Sequence, residues 1–356
     1  MTSQRIARLQ RFLDSARVLC QPGHPLFRRA RAELPGATGL SPENVVWALE
    51  NALEIQPSAW DLDLLCSRTP ECRRAHVLLS ANVFVASLRA IAIAIAAAPQ
   101  VCVRASRREP LMAELLAQAA PEQFQLVDEL QANPGDHYWA YGNDVSLRQI
   151  RLSLNRDVVF HAHGSGYGIV VITDTEIDDE QSSRQIARAL VEDVVPFDQR
   201  GCLSPRIVLV QGSSEAASLL QRTVADEMKK REAQIPLGDI SREERAQIAR
   251  YRDTLCMAGE VLDAGSGWVS LETQILPWIL PPIGRILHIR PTKNAIEDAL
   301  AHAAKLTTIG VGSTEASTAS RLQTAFPNVR IAKLGQMQRP KLDGPVDLRN
   351  LQGEIT

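Results

Sequence analysis

Apolar residues recur at helical spacing through the first 70 positions: Ile6, Leu9 and Leu13, then Val45, Val46, Leu49 and Leu53 behind the capping-type Ser41-Pro42-Glu43. This predicts a helical lead-in over 1–70 without evident chemistry. Beyond it the pattern alternates. Short runs rich in β-branched or aromatic residues predict strands at 75–79, 100–104, 138–142 and 158–161, with helices at 83–98, 110–119 and 145–152 between them. Such alternation predicts a doubly wound, mostly parallel sheet, whose ligands sit at the carboxyl ends of its strands. Those ends carry Ser80-Ala81-Asn82, Arg104-Ala105-Ser106 and Gly142-Asn143-Asp144.

The acidic stretch 174–180 reads as a boundary, and a second alternating region follows it. Ile186, Leu190 and Val194 recur every fourth position and predict a helix; Ile207 to Val210 predicts a strand. Helices at 215–231, from 241 and at 295–305 alternate with strands at 268–272, 285–289 and 308–311. The resulting division is a lead-in over 1–70, a nucleotide-binding domain over 71–173 and a catalytic domain over 174–325. A return segment over 326–356 goes back to the first domain or to an oligomer contact.

A chain of 356 residues with 45% hydrophobic composition buries a sizeable core and has room for two domains. Formal net charge is −2 and the basic residues are dispersed, which argues against a nucleic-acid partner. The six cysteines form no close metal-ligand doublets and no secretory signal opens the chain, so a reducing cytoplasm is expected. The most apolar stretch, 77–103, contains Arg89, Asn82, Pro99 and Gln100. It reads as a buried strand, helix and strand rather than a membrane span, so no stable membrane insertion is expected. The amino-terminal arginines, Arg5 and Arg8 among them, read as a solvated helical face.

Candidate chemistry centres on Cys202, set in Gly201-Cys202-Leu203-Ser204-Pro205 between a helix and a strand. Gly201 leaves room beside the thiol for a substrate. A nucleophilic thiol needs its pKa lowered from about 8.5 toward 7 by a helix terminus, main-chain donors or a cation. Arg200 either supplies that cation or pairs with Asp198. The segment HAHGSGYG over 161–168 opens no helix, and its glycines fit either a tight reversal at positive φ or direct ligand contact. His161 and His163 share a strand face without a third ligand, so no metal is assigned and a polar cleft lining is preferred. Arg104, at a strand's carboxyl end, suits a ribose or its 2′-phosphate.

In order and spacing, Asn82, Arg104-Ala105-Ser106, Gly142, the glycine-rich 161–168 and Cys202 resemble the aldehyde dehydrogenase superfamily. VPFDQRGCLSP looks like the cysteine motif of acyl-CoA reductases related to the fatty-acid reductase of bacterial bioluminescence. The resemblance covers about 75–340, including KLGQMQRP. It implies an aldehyde-dehydrogenase-like fold of two doubly wound α/β domains with an interdomain crevice. It also implies Cys202 as the nucleophile that carries the acyl group as a thioester, with Asn82 donating to the oxyanion. Arg104, Ser106, Gly142, Gly164 and Gly166 would contact the cofactor. NADPH is expected from Arg104, with NADH as the alternative. His161-Ala162-His163 stands where hydrolytic members place a glutamate, which favours reduction of the thioester over its hydrolysis. The implied activity is reduction of acyl-CoA to an aldehyde. Two rivals are an acyl-phosphate reductase of the same fold and a non-catalytic subunit that binds nucleotide. Homo-oligomerisation or an acyl-activating partner enzyme accompanies these readings.

Overall fold

Helix starts along the first 70 residues are fixed by side-chain caps. Ser41 accepts from the Asn44 amide at 3.2 Å with Pro42 in the first turn, and Ser58 with Asp61 closes a reciprocal capping box. The computed structural model describes residues 2–274, 276–312 and 316–349, and its contacts divide the chain into two compact units. Among the described residues the first holds 2–165 and 341–346 and the second holds 166–340 and 347–349.

In the first unit α1 (Thr2–Ala16), α2 (Pro25–Thr38), α3 (Pro42–Asn51) and α4 (Ala59–Arg68) precede β1 (Arg74–Leu78), α5 (Ala86–Ala97), β2 (Gln100–Arg104), α6 (Leu111–Ala119), β3 (Gln125–Leu126), β4 (His137–Tyr141), α7 (Asp144–Ser153) and β5 (Val159–His163). Among the described residues the strands form one parallel sheet in the order β3-β2-β1-β4-β5. The order reverses direction between β1 and β4, the position at which doubly wound sheets open a ligand crevice.

The helix α5 is apolar on every face and buried almost throughout, so the amino-terminal helices serve as its cover rather than as a separate lead-in. The expected solvated arginine face holds for Arg11, Arg17, Arg28 and Arg31, which are exposed, and is corrected for Arg5 and Arg8. Arg5 is buried and donates to the Ala96 carbonyl at 2.6 Å and to Thr69 O at 2.6 Å; Arg8 reaches Ile95 O at 3.2 Å. These guanidinium groups satisfy carbonyls in the last turn of α5, which have no partner inside the helix. Arg89, inside α5, pairs with Glu54 at 2.8 Å and donates to the carbonyls of Lys341 and Gly344, anchoring the returning segment 341–346 to this unit. Among the described residues no helix is long and apolar enough to cross a membrane.

The second unit runs β6 (Tyr167–Thr173), α8 (Glu180–Val194), β7 (Pro205–Gln211), α9 (Ser214–Glu232), α10 (Arg242–Cys256), β8 (Gly259–Ala264), β9 (Gly267–Glu272), β10 (Ile286–Thr292), α11 (Ala295–Leu300), β11 (Leu306–Val311), α12 (Ala316–Ala325) and β12 (Arg330–Lys333). Its sheet has the order β12-β11-β6-β7-β10-β9-β8, parallel except for the β8–β9 hairpin. The strand β6 pairs with β7 and β11, so the division falls at 165/166, ahead of the acidic stretch at which the sequence suggests a boundary. Those acids instead serve helix starts: Asp179 caps α8 through the Ser182 amide at 2.8 Å, and Asp174 accepts from the amide of Ser213, the residue that caps α9, at 3.1 Å. Carboxylates gather there because a helix amino terminus favours negative charge. Of the return segment expected over 326–356, the part from residue 350 lies outside the described residues.

Candidate functional site

The turn that carries Cys202 is built on an unusual backbone. Phe197, Asp198 and Gln199 take left-handed conformations in succession, at φ of 55°, 50° and 60°. Each such non-glycine residue costs on the order of 1–3 kcal/mol, so the surroundings must over-determine them. Asp198 is fully buried and accepts from Arg285 Nε at 3.0 Å and Nη2 at 2.7 Å, while the Gly238 amide donates to its other oxygen. Arg285, itself left-handed at φ 64°, donates further to the carbonyls of Ile235 and Pro236. The Gln199 side chain completes the frame, donating to Pro205 O and Ile286 O and accepting from Ile286 N.

From this frame the chain turns through Gly201–Ser204 into β7. Ser204 O accepts from Gly168 N at 3.1 Å, and Ser204 Oγ accepts from Gln338, whose amide also reaches Asp193 O. Asp193, at the end of α8, takes the amides of Gly335 and Met337 at 2.6 and 2.8 Å. KLGQMQRP is therefore a brace behind the cysteine turn.

Cys202 stands at the amino end of β7, partly exposed as a residue, with its sulfur deep among protein atoms. Burial pushes the thiol up to about 11. Asp347 adds to the rise; Arg349, the Cys202 amide and the Thr307 hydroxyl act against it. This corrects the expectation of a lowered pKa, because desolvation of the anion outweighs the single nearby cation. Arg200 is not that cation, nor does it pair with Asp198: it binds Glu244 at 2.8 Å and Asp239 O at 2.7 Å. Cys20 and Cys72 are also pushed to about 11, so a raised pKa alone does not single out Cys202. Its polar neighbours do.

Sequence reasoning missed those neighbours. Thr307 is the extra residue where the β11 register slips against β6, and the bulge re-aims its side chain. Arg349 forms a two-point ion pair with Asp347, at 2.8 and 2.7 Å, and donates to Ala304 O at 2.8 Å. A Cβ at Gly166 would collide with the Thr307 hydroxyl and stand 2.7 Å from an Arg349 nitrogen; one at Gly168 would stand 2.7 Å from Leu203 O. Neither glycine has a positive φ, so both are needed for space rather than for a reversal.

The other sequence-chosen residues lie in the first unit, apart from Gly166. Asn82, Arg104, Ser106, Gly142 and Gly164 follow the carboxyl ends of β1, β2, β4 and β5 along one edge of its sheet. Asn82 Oδ1 accepts from Arg108 at 3.0 Å, and Ser106 Oγ accepts from the Arg108 amide. Gly142 donates its amide to His163 O, so that N–H is not available to a phosphate, while the space above its Cα is open. The start of α7 is already capped by Asn143 and carries Asp144, which disfavours an anion there; α5 starts without a side-chain cap. The Arg104 side chain makes no hydrogen bond or ion pair among the described residues.

His161 and His163 pack against aromatic rings. His161 contacts His137 Nδ1 at 3.0 Å and stacks on Trp139, and burial beside two other histidines pushes it down to about 3; His163 stacks on Tyr141. Among the described residues no three potential ligands gather around a metal position.

A family model for acyl-CoA reductases (LuxC) matches residues 119–353. An oxidoreductase from Marinobacter aquaeolei superposes at TM-score 0.71 with 11% identity, over 97% of this chain and 82% of that one. Lactaldehyde dehydrogenase from Escherichia coli does so at 0.66 with 12% identity, over 95% and 79%. A mutant of proline utilization A from Bradyrhizobium japonicum does so at 0.67 with 16% identity, over 98% of this chain but 42% of that longer one. No curated protein matches the chain. The architecture shared with these enzymes is the aldehyde-dehydrogenase fold.

Two outcomes follow from the geometry. Asp198→Ala leaves the Arg285 charge buried and unpaired and is expected to destabilise the protein by about 3–5 kcal/mol in chemical denaturation; a loss below about 1 kcal/mol would mean the pair does not hold the turn. With its thiol near 11 rather than the usual 9.0, Cys202 should alkylate about 100-fold more slowly at pH 7.5 than an ordinary thiol of equal access. Peptide mapping after iodoacetamide should therefore find exposed Cys256 labelled first.

Proposed function

The chain belongs to the acyl-CoA reductase family, and on that premise we propose that it reduces acyl-CoA to an aldehyde through a thioester on Cys202, with hydride from NADPH. The observation that carries this reading is the placement of Cys202. Its thiol stands on a turn braced by the Asp198–Arg285 pair, beside a buried guanidinium and hydroxyl, within the segment that the family model matches.

The acyl step balances as follows. Cys202 loses its proton, its sulfur attacks the thioester carbonyl, and the carbonyl–sulfur bond to CoA breaks; CoA leaves as a thiolate and takes up a proton. The Cys202 amide N–H is the main-chain donor available to the transient oxyanion. Ionising a thiol of pKa about 11 at neutral pH costs roughly 5 kcal/mol, so acylation should quicken as pH rises. Reduced nicotinamide, when bound, supplies the hydride that releases the acyl group as aldehyde. The first unit's sheet edge suits that nucleotide, because Arg104 offers a guanidinium to a 2′-phosphate. The one carboxylate that acts on Cys202 among the described residues, Asp347, is paired with Arg349 rather than left to activate water, which supports reduction over hydrolysis.

Cys202→Ala should abolish aldehyde formation from acyl-CoA while the fold, read by circular dichroism, persists; wild-type turnover in that variant would remove Cys202 from the role. Arg104→Ala should cut kcat/KM with NADPH by about tenfold or more and leave NADH nearly unaffected. Equal losses with both nucleotides would assign Arg104 no part in reading the 2′-phosphate.

A further inference from the structure

Ser204 is the fixed point of the turn that carries Cys202. It is fully buried and held at each of its polar atoms: its amide donates to Gly201 O at 3.2 Å, its carbonyl accepts from Gly168 N at 3.1 Å, and its hydroxyl accepts from Gln338 Nε2 at 3.2 Å. The first of these bonds aims a donor. Gly201 O belongs to the same planar peptide as the Cys202 N–H, and in a trans peptide the two point in opposite directions, so fixing the carbonyl fixes where the amide proton is directed. Gln338, which holds the hydroxyl, is buried and over-determined in its turn. Its Nε2 also donates to Asp193 O at 2.9 Å, and the residues before it are pinned by the Asp193 carboxylate, which takes the amides of Gly335 and Met337. Asp193 is fully buried with no ion pair among the described residues, a costly way to keep a carboxylate unless it holds something in place. A Cβ at Gly310 would stand 2.6 Å from Met337 Sδ and one at Gly168 would stand 3.0 Å from Met337 Cε, so the thioether lies across β6 and β11 in space that the two glycines leave open.

We propose that Gln338 is a positioning residue for the acyl step. Through the Ser204 hydroxyl it holds the Gly201–Cys202 peptide with its N–H directed at the oxyanion that forms when the Cys202 sulfur adds to a thioester carbonyl, and Asp193 and Met337 hold Gln338. The hydrogen bond to Ser204 spans 134 residues of sequence and joins the end of α8, the start of β7 and the turn after β12 at one amide group. Negative charge on the carbonyl oxygen develops only on the way to the tetrahedral adduct. A misdirected N–H therefore weakens binding of the transition state and leaves binding of the acyl donor nearly unchanged.

This inference rests on the reading of Cys202 as the nucleophile and deepens it. The test follows acyl-enzyme formation from octanoyl-CoA without nicotinamide, by quenched-flow mass spectrometry over a range of donor concentrations, in the full chain and in Gln338→Met, Ser204→Ala and the double variant. Gln338→Met keeps the length of the side chain and removes its donors. Each single substitution is expected to lower the maximal acylation rate by about tenfold and to leave the half-saturating concentration within about twofold. The double variant should fall no further than the slower single one, because both changes remove the same bond. Should Gln338→Met not fold, as read by circular dichroism, Ser204→Ala carries the test by its split between rate and half-saturation. Wild-type acylation in either folded single variant, a rise in the half-saturating concentration alone, or a drop of about a hundredfold in the double variant would overturn the proposal. The two readings separate cleanly. Absence of any acyl group on Cys202 of the unsubstituted protein defeats the nucleophile and the positioning with it, whereas normal acylation of Cys202 in the variants defeats the positioning alone.

Discussion

The ion pair between Asp198 and Arg285 is the contact on which the cysteine turn hangs. Three consecutive left-handed residues without a glycine among them do not persist on local preference. They persist because Asp198 has nowhere else to place its charge, and because Gln199 closes a ring of hydrogen bonds with β7 and β10. The cost of the backbone is met by satisfying a buried carboxylate, a buried guanidinium and a buried amide at once. What results is a rigid approach to Cys202 that depends on segments up to 87 residues away in sequence.

Chemistry at that turn is governed by desolvation. The sulfur sits in surroundings that oppose its ionisation, and the nearby cation is partly cancelled by the carboxylate that holds it. A thiol in this state resists adventitious oxidation and alkylation, both of which require the thiolate. In the proposed reaction the anion is needed only when a thioester carbonyl is present to take the electron pair. In the first unit the parallel sheet presents an uncapped helix start, an open glycine and a guanidinium without an ion partner among the described residues along one edge.

Much of the architecture was legible from periodicity. Most strands and helices from residue 75 onward, and the helical character of 1–70, follow from apolar spacing because each element buries one face or one stripe, whereas β3, β6, β8, α12 and β12 were not read from the sequence. The cysteine turn was legible because glycine, serine and proline interrupt two strongly patterned elements. Other features were not. Arg5 and Arg8 look like any exposed helix cations, since nothing local shows that α5 will end beneath them. Phe197 to Gln199 carry none of the glycine or asparagine that normally marks a left-handed turn. Thr307 lies inside an apolar run as an ordinary strand residue, and nothing in its sequence marks the register slip that occurs there. Asp347 and Arg349 stand 145 or more positions from Cys202, in a segment whose sequence has no periodicity to read. The acidic stretch misleads because helix capping and interdomain linkers use the same residues.

The most direct measurement is intact-protein and peptide mass spectrometry after mixing the protein with a medium-chain acyl-CoA in the absence of nicotinamide. A single acyl mass on the peptide containing Cys202, lost when reduced nicotinamide is added and replaced by free aldehyde, is the predicted result. An acyl group on another residue, or aldehyde formed with no acyl-enzyme at any time, would contradict a thioester on this turn.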